Sequence, residues 1–458
     1  MKNDFIGIFK VLEPKEQAGF DKYIHCFYNS QKVVLTLFEE VTSALPSDGT
    51  LEAVRAASVD NKNRLNALAD LKKWLFEFLA LQEIQNNSTE SKFLSLEALR
   101  KRGLHEACQQ KAKQLRQEID KQPSLDMRYL YWKSRLAHIN YFNTAHSNYS
   151  EEHKDKLTQL HTDLDGFYMA AKLKYSAELY NRTHVLADEY EIGLLNEVLK
   201  HIQKGVSAHP IVTDLYLPLF EMTKDRSPTA YFKLKTFLQH SEKHEPLERQ
   251  AIFFSLLNFA TYRFRHGDET FIQESFDLYQ FGLNAKLFTV SGNFPSEVFL
   301  SIINTGCRLQ QINWLKDFVK NWSPYLLPSE KDDIVCFSIA RIAFEEKQFE
   351  HVVDLLQRDN FKNFTLYLNT RLLLIRSYYE LPKMHPLMPA FCNALYQYVY
   401  RNKSIGADLK TSIINFVKIF RQIIGGKSKK QLVKELQSKR EPVICADWLL
   451  LKIEELKR

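Results

Sequence analysis

Between Asp332 and Leu381 an apolar pattern recurs at an interval of about 34 residues, and this interval constrains the fold more than any other feature of the chain. In DDIVCFSIARIAFEEKQFEHVVDLL, Ile339, Ala340, Ala343 and Phe344 line one helix face. A polar turn follows, and Phe349, Val352, Val353 and Leu356 line the face of a second helix. A shift of about 34 carries Ala340 onto Leu374 and Phe344 onto Tyr378, and a shift of about 35 the other way carries Phe344 onto Leu309, Phe349 onto Trp314 and Val353 onto Phe318. A helix pair this short cannot bury its apolar face alone, so neighbouring pairs must stack on it. The expected fold is all-α, an irregular right-handed α-α superhelix preceded by an N-terminal helical region.

At 458 residues the chain exceeds the roughly 250–300 residues at which one compact core stops growing. Only 14 Gly and 14 Pro punctuate it, too few for the frequent turns of an all-β protein. A net charge of +7 is modest for this length and compatible with nucleic acid, an acidic protein or neither. Cys26, Cys108, Cys307, Cys336, Cys392 and Cys445 lie far apart with no CxxC pair, as expected of reduced thiols in a cytoplasmic protein. The start, MKNDFIGIFKVLEPKE, has no signal-peptide pattern, and the longest uncharged apolar run, 251–262, falls short of the about 20 residues a membrane span requires. No membrane partner is expected.

Helical periodicity covers 5–12, 15–27, 31–42, 51–54, 61–85 and 94–120, with a polar loop between the last two. Pro123 suggests a boundary, giving an N-terminal helical region over 1–122 and a solenoid over 123–458. Within the latter, helices are expected at 127–140, 151–191, 192–204, 211–222, 228–241, 246–265, 271–283, 387–401, 408–424, 428–439 and 443–457. The last should act as a capping helix that buries Trp448, Leu449, Ile453 and Leu456 and exposes Lys452, Glu454, Glu455 and Lys457.

Chemical motifs are sparse. Gly426-Lys427-Ser428 resembles the end of a phosphate-binding loop, but no strand precedes it and the motif's first glycine would fall at Arg421, so it reads as a turn with Ser428 capping the next helix. His240 and His244 are spaced like metal ligands without a ligand cluster around them, and Ser207 and His209 lack a nucleophile elbow and an acid partner. No catalytic residue, metal or cofactor is expected. One charge feature stands out: over 421–440, Arg421, Lys427, Lys429, Lys430, Lys434, Lys439 and Arg440 face a single acid, Glu435. Such a patch suits phosphate or nucleic acid, although a solvated helix face has the same composition.

LEPKEQAGFDKYI near the start, LRKRGL at Leu99, KLKYSAELYNR at Lys172, YFKLKTFL at Tyr231, NTRLLLIRSYYEL at Asn369 and WLLLKIEEL at Trp448 together resemble an uncharacterised bacterial family of helical-repeat proteins, tetratricopeptide-like in the C-terminal part. These are packing patterns, and the resemblance implies no activity and no functional residue. In a tetratricopeptide register with Ala340 at the small-residue position, Phe337 and Arg341 point into the groove, with Arg371 and Tyr379 one repeat later. The expectation is a non-enzymatic scaffold that binds a protein or peptide on a concave surface. Nucleic-acid binding through 421–440 is the alternative.

Overall fold

The computed structural model describes residues 4–59, 61–121, 126–144, 151–186, 191–205, 209–240, 246–289, 292–357, 364–402, 405–438 and 443–456. The described residues form 23 α-helices with short 3-10 and π segments between them, and no strand. The chain divides into two compact units. One comprises Met1–Ala171 with Gly205–His209, the other Lys172–Lys204 with Pro210–Arg458. Residues 122–125, where the sequence suggests a boundary, lie outside the described residues.

The first unit is built on an aromatic core. Phe5, Phe9, Phe20 and Phe38 are nearly fully buried and pack ring against ring at 5.3–6.4 Å. Tyr28 stacks on Trp74 at 3.8 Å and donates its hydroxyl hydrogen to Glu77 at 2.6 Å. Two sequence expectations need correction here. The periodicity over 94–120 belongs to two helices, Ser88–Lys101 and His105–Asp120, because Gly103 adopts a left-handed φ of +71° that ends the first. The polar loop before them shrinks to Asn87, whose side chain caps the second of the flanking helices by accepting from the Glu90 N–H.

In the second unit, helices pack mostly on their neighbours in sequence. The expected helix over 211–222 opens with a π-helical segment, Val212–Tyr216, before the α-helix Leu217–Lys224. Pro218 has no N–H to offer the carbonyl four residues back, and the wider turn accommodates that loss. The two helices expected from the apolar pattern form at Lys331–Glu345 and Phe349–Leu356, preceded by the helices Ser296–Arg308 and Ile312–Trp322. Ala340, Ala343 and Phe344 are buried, but Ile339 departs from the face assigned to it and is exposed. Both pairs turn the same way. Gln310 and Lys347 take left-handed φ values of +57° and +61°, and the following N–H of Gln311 or Gln348 bonds the carbonyl of Gly306 or Ala343 at 2.9 Å. These two turn residues set the offset between the pairs at about 37 residues, not about 35. The revised register places buried Leu315 with Val352 and buried Val319 with Leu356, which the shorter shift misses.

Candidate binding cleft

A cleft of about 760 Å³ opens within the second unit. Three helices each contribute an arginine to it: Arg308 from Ser296–Arg308, Arg341 from Lys331–Glu345 and Arg376 from Phe364–Glu380. The C-terminal helix Ala446–Glu455 supplies Trp448, Leu451 and Lys452. Trp448 is anchored by aromatic contacts to Tyr379 at 5.5 Å and Phe420 at 5.6 Å. Leu451 is left half exposed.

Ion pairs hold most of these charges in place. Arg308 bonds Glu269 at 3.2 Å and Asp447 at 2.9 Å, and Arg341 pairs with Glu345 one turn along its own helix. Lys452, expected to be exposed, is only 7% exposed, because it reaches back to Glu380 at 2.8 Å and Glu455 at 2.9 Å. Burial lowers its pKa, but the hydrogen bonds and charges of those two carboxylates outweigh burial and raise it. Arg376 is different. Its Nε donates to the Leu372 carbonyl at 3.2 Å and its guanidinium lies 4.9 Å from the centre of the Phe344 ring, but no carboxylate among the described residues pairs with it. Arg376 lies deep in the protein yet keeps part of its surface accessible, as a side chain facing a cleft does. Burial, reinforced by the nearby Arg341 charge, pulls its pKa below the ordinary arginine value, while Glu345 and the Cys445 and Cys307 thiols act the other way. The Cys307 thiol is itself pushed up to about 11 by burial.

A smaller cavity of about 320 Å³ in the first unit offers a contrast, since three of the polar side chains that line it are held by neighbouring residues. Asn143 bonds His105, Gln159 bonds Asp163 at 2.9 Å, and Arg116 bonds Asp120 at 3.2 Å.

Of the four residues placed in a groove by the sequence, Arg341 lines the cleft. Phe337 does not, for it is 2% exposed and packs in the core with Ile334 and Ala340 on its helix. Arg371 lies over the Tyr367 ring at 4.9 Å, and Tyr379 is half-buried behind Trp448; neither lines the cleft. Sequence reasoning does not single out Arg376. It stands inside the run LLLIRSYY, and a cation so deep in an apolar stretch is the available signal.

The basic segment is largely tied to its own surroundings. Arg421 bonds Asn393 and lies over the Tyr396 ring at 5.3 Å. Lys427 pairs with Glu435 at 2.7 Å, and Lys429 donates to the Glu454 carbonyl at 2.9 Å. Lys430 and Lys434 are exposed, while Lys439 and Arg440 lie outside the described residues. Replacing Lys430 and Lys434 together by Ala is therefore expected to leave the melting temperature unchanged or slightly raised, since relief of an i,i+4 repulsion is worth about 0.2–0.5 kcal/mol. A clear fall would show that these lysines make stabilising contacts. Gly426, at φ +77°, forms the turn expected of it, with the Lys427 N–H bonding the Gln422 carbonyl at 3.0 Å.

His244 and Ser207 lie outside the described residues. Nδ1 of His240 is 2.9 Å from the Thr236 carbonyl, and His209 is part-buried beside Tyr129, its pKa lowered by burial. Among the described residues no group of three or more His, Cys, Asp or Glu side chains could hold a metal ion, and no helix is long and apolar enough to cross a membrane. Comparison with family models, with curated proteins and with solved structures finds no match for this chain.

Proposed function

We propose that this chain is a tetratricopeptide-like helical-repeat scaffold, non-enzymatic and cytoplasmic, that binds a protein or peptide through the cleft of its second unit. The cleft carries this reading. It brings arginines from three helices together with an aromatic wall, and about 760 Å³ falls in the range of about 300–1,000 Å³ typical of ligand sites. Arginine recognises carboxylates through its planar fork, and rigid aromatics supply contact area at low entropic cost. Half-exposed Leu451 adds an apolar contact at the C-terminal helix.

Affinity capture from a cell extract, with nuclease treatment in parallel and with Leu451→Glu as a second bait, tests this. The expected result is a protein partner that survives nuclease and is lost with Leu451→Glu. A partner released by nuclease would favour nucleic-acid binding through 421–440 instead. Equal capture by both baits would locate the binding surface away from the cleft.

A further inference from the structure

Charge within the cleft does not balance in one place. The carboxylates that line it are already engaged: Glu345 with Arg341, Asp447 with Arg308, and Glu380 and Glu455 with Lys452. Glu345 also accepts from the Gln310 side chain at 3.0 Å. Arg376 is left with its Nε bonded to a backbone carbonyl and its remaining N–H groups without a carboxylate among the described residues. A guanidinium is the side chain least able to shed its proton, so a deep one that no carboxylate pairs with, and that Glu345 influences only from beyond ion-pair distance, is an incompletely compensated charge. Its orientation is fixed by the Leu372 carbonyl and the Phe344 ring, which leaves the fork pre-organised. Arg341 lies 5.7 Å from the same ring, so two arginines converge on one aromatic while only one has an acidic partner.

We infer that the cleft contains an oxyanion subsite at Arg376, with Arg341 beside it and Trp448 and Leu451 lining the same cleft, and that the bound peptide places a carboxylate or phosphate there. The inference rests on the peptide-binding reading of the cleft and narrows it to ligands that carry an anionic group next to an apolar one. Acidic side chains, a terminal carboxylate and a phosphorylated residue all offer two oxygens that the fork can bind together. The subsite differs from the basic segment at 421–440 in lying within a cleft, so its selectivity comes from shape and hydrogen-bond direction as well as from charge.

The test uses the full chain with acetate and inorganic phosphate as probes, each compared with chloride at equal pH and ionic strength. A ligand that binds only the folded state raises the melting temperature. The wild-type protein should melt higher in one or both oxyanions than in chloride, and the larger increment tells carboxylate from phosphate. Arg376→Met should abolish the increment and weaken binding at least tenfold in a calorimetric titration. It should also melt no lower than wild type in chloride, because it removes a deep charge that no carboxylate among the described residues pairs with. Arg371→Met, outside the cleft, should keep the full increment. Should Arg376→Met fail to fold, Arg376→Lys keeps the charge without the fork and should retain only part of the increment. Absence of any oxyanion increment in the wild type, or an equal one in Arg376→Met, would overturn the subsite. If the increment fails while Leu451→Glu still loses a captured partner, the subsite falls and the peptide surface stands. An Arg376-dependent increment with no partner captured would leave the subsite standing and remove the peptide surface.

Discussion

Trp448→Ala should lower the melting temperature by several degrees. Removing a core Trp typically costs about 3–5 kcal/mol, and Trp448 is only part-buried, so about 2–3 kcal/mol is expected. The loss comes from the aromatic cluster that the side chain completes, with Tyr379 and Phe420 within 5.6 Å and Phe416 at 6.3 Å. The same helix carries Leu449 and Ile453, both fully buried, and the Lys452 ion pairs to Glu380 and Glu455. Loosening it would expose the cleft side of Phe364–Glu380, so the substitution should also reduce partner binding. Thermal melting followed by circular dichroism at 222 nm, a wavelength characteristic of helix, checks it. An unchanged midpoint would mean that the C-terminal helix contributes little to the stability of the second unit.

A side chain at position 282 should be equally damaging. Gly282 lies in the helix Thr270–Asn284 where a Cβ would come within 2.5 Å of the Phe253 ring and 2.7 Å of the Phe288 ring. Neither ring has room to yield: Phe253 and Phe288 are buried, lie 5.2 Å apart and Phe288 is backed by Phe294 at 5.2 Å. Overpacking of this kind costs about 1–3 kcal/mol for Gly282→Ala, and Gly282→Val should exceed that range or prevent folding. Gly306 presents the same situation against Leu315, whose Cδ2 would lie 2.7 Å away. Each glycine lies where a buried side chain of the neighbouring helix, Phe253 or Leu315, packs directly on its backbone. Chemical denaturation of Gly282→Ala and Gly306→Ala measures this, and wild-type midpoints would show that the helices separate without cost.

The helical architecture was legible because its signal is periodic and local. Pro246–Arg265 coincides with the expected helix, Pro14–Phe27 begins one residue earlier than expected, and Thr270–Asn284 extends one residue further at each end. What remained hidden depends on turns and on long-range partners. Gly103 divides 94–120 through a left-handed φ, and in a composition rich in helix formers one glycine is a weak break signal. The offset of about 37 between the two best helix pairs follows from the αL conformations of Gln310 and Lys347, residues that carry no sequence mark for that geometry. Lys452 was expected outside because lysine usually is; Glu380, some seventy positions away, brings it in. The site was less legible still. Arg341, placed in a groove by the tetratricopeptide register, lines the cleft, but the same register placed Phe337 in a groove although that side chain is buried in the core. Arg376 becomes visible only when the helices that surround it are in place.

Hydrogen exchange with the captured partner bound tests the cleft most directly. Amides protected on binding report where a ligand orders or shields the backbone. Protection concentrated in Lys331–Glu345, the C-terminal half of Phe364–Glu380 and Ala446–Glu455 is the predicted result, with little change in Lys429–Ser438. Protection confined to Lys429–Ser438, or absent from all three segments named for the cleft, would contradict peptide binding in the cleft.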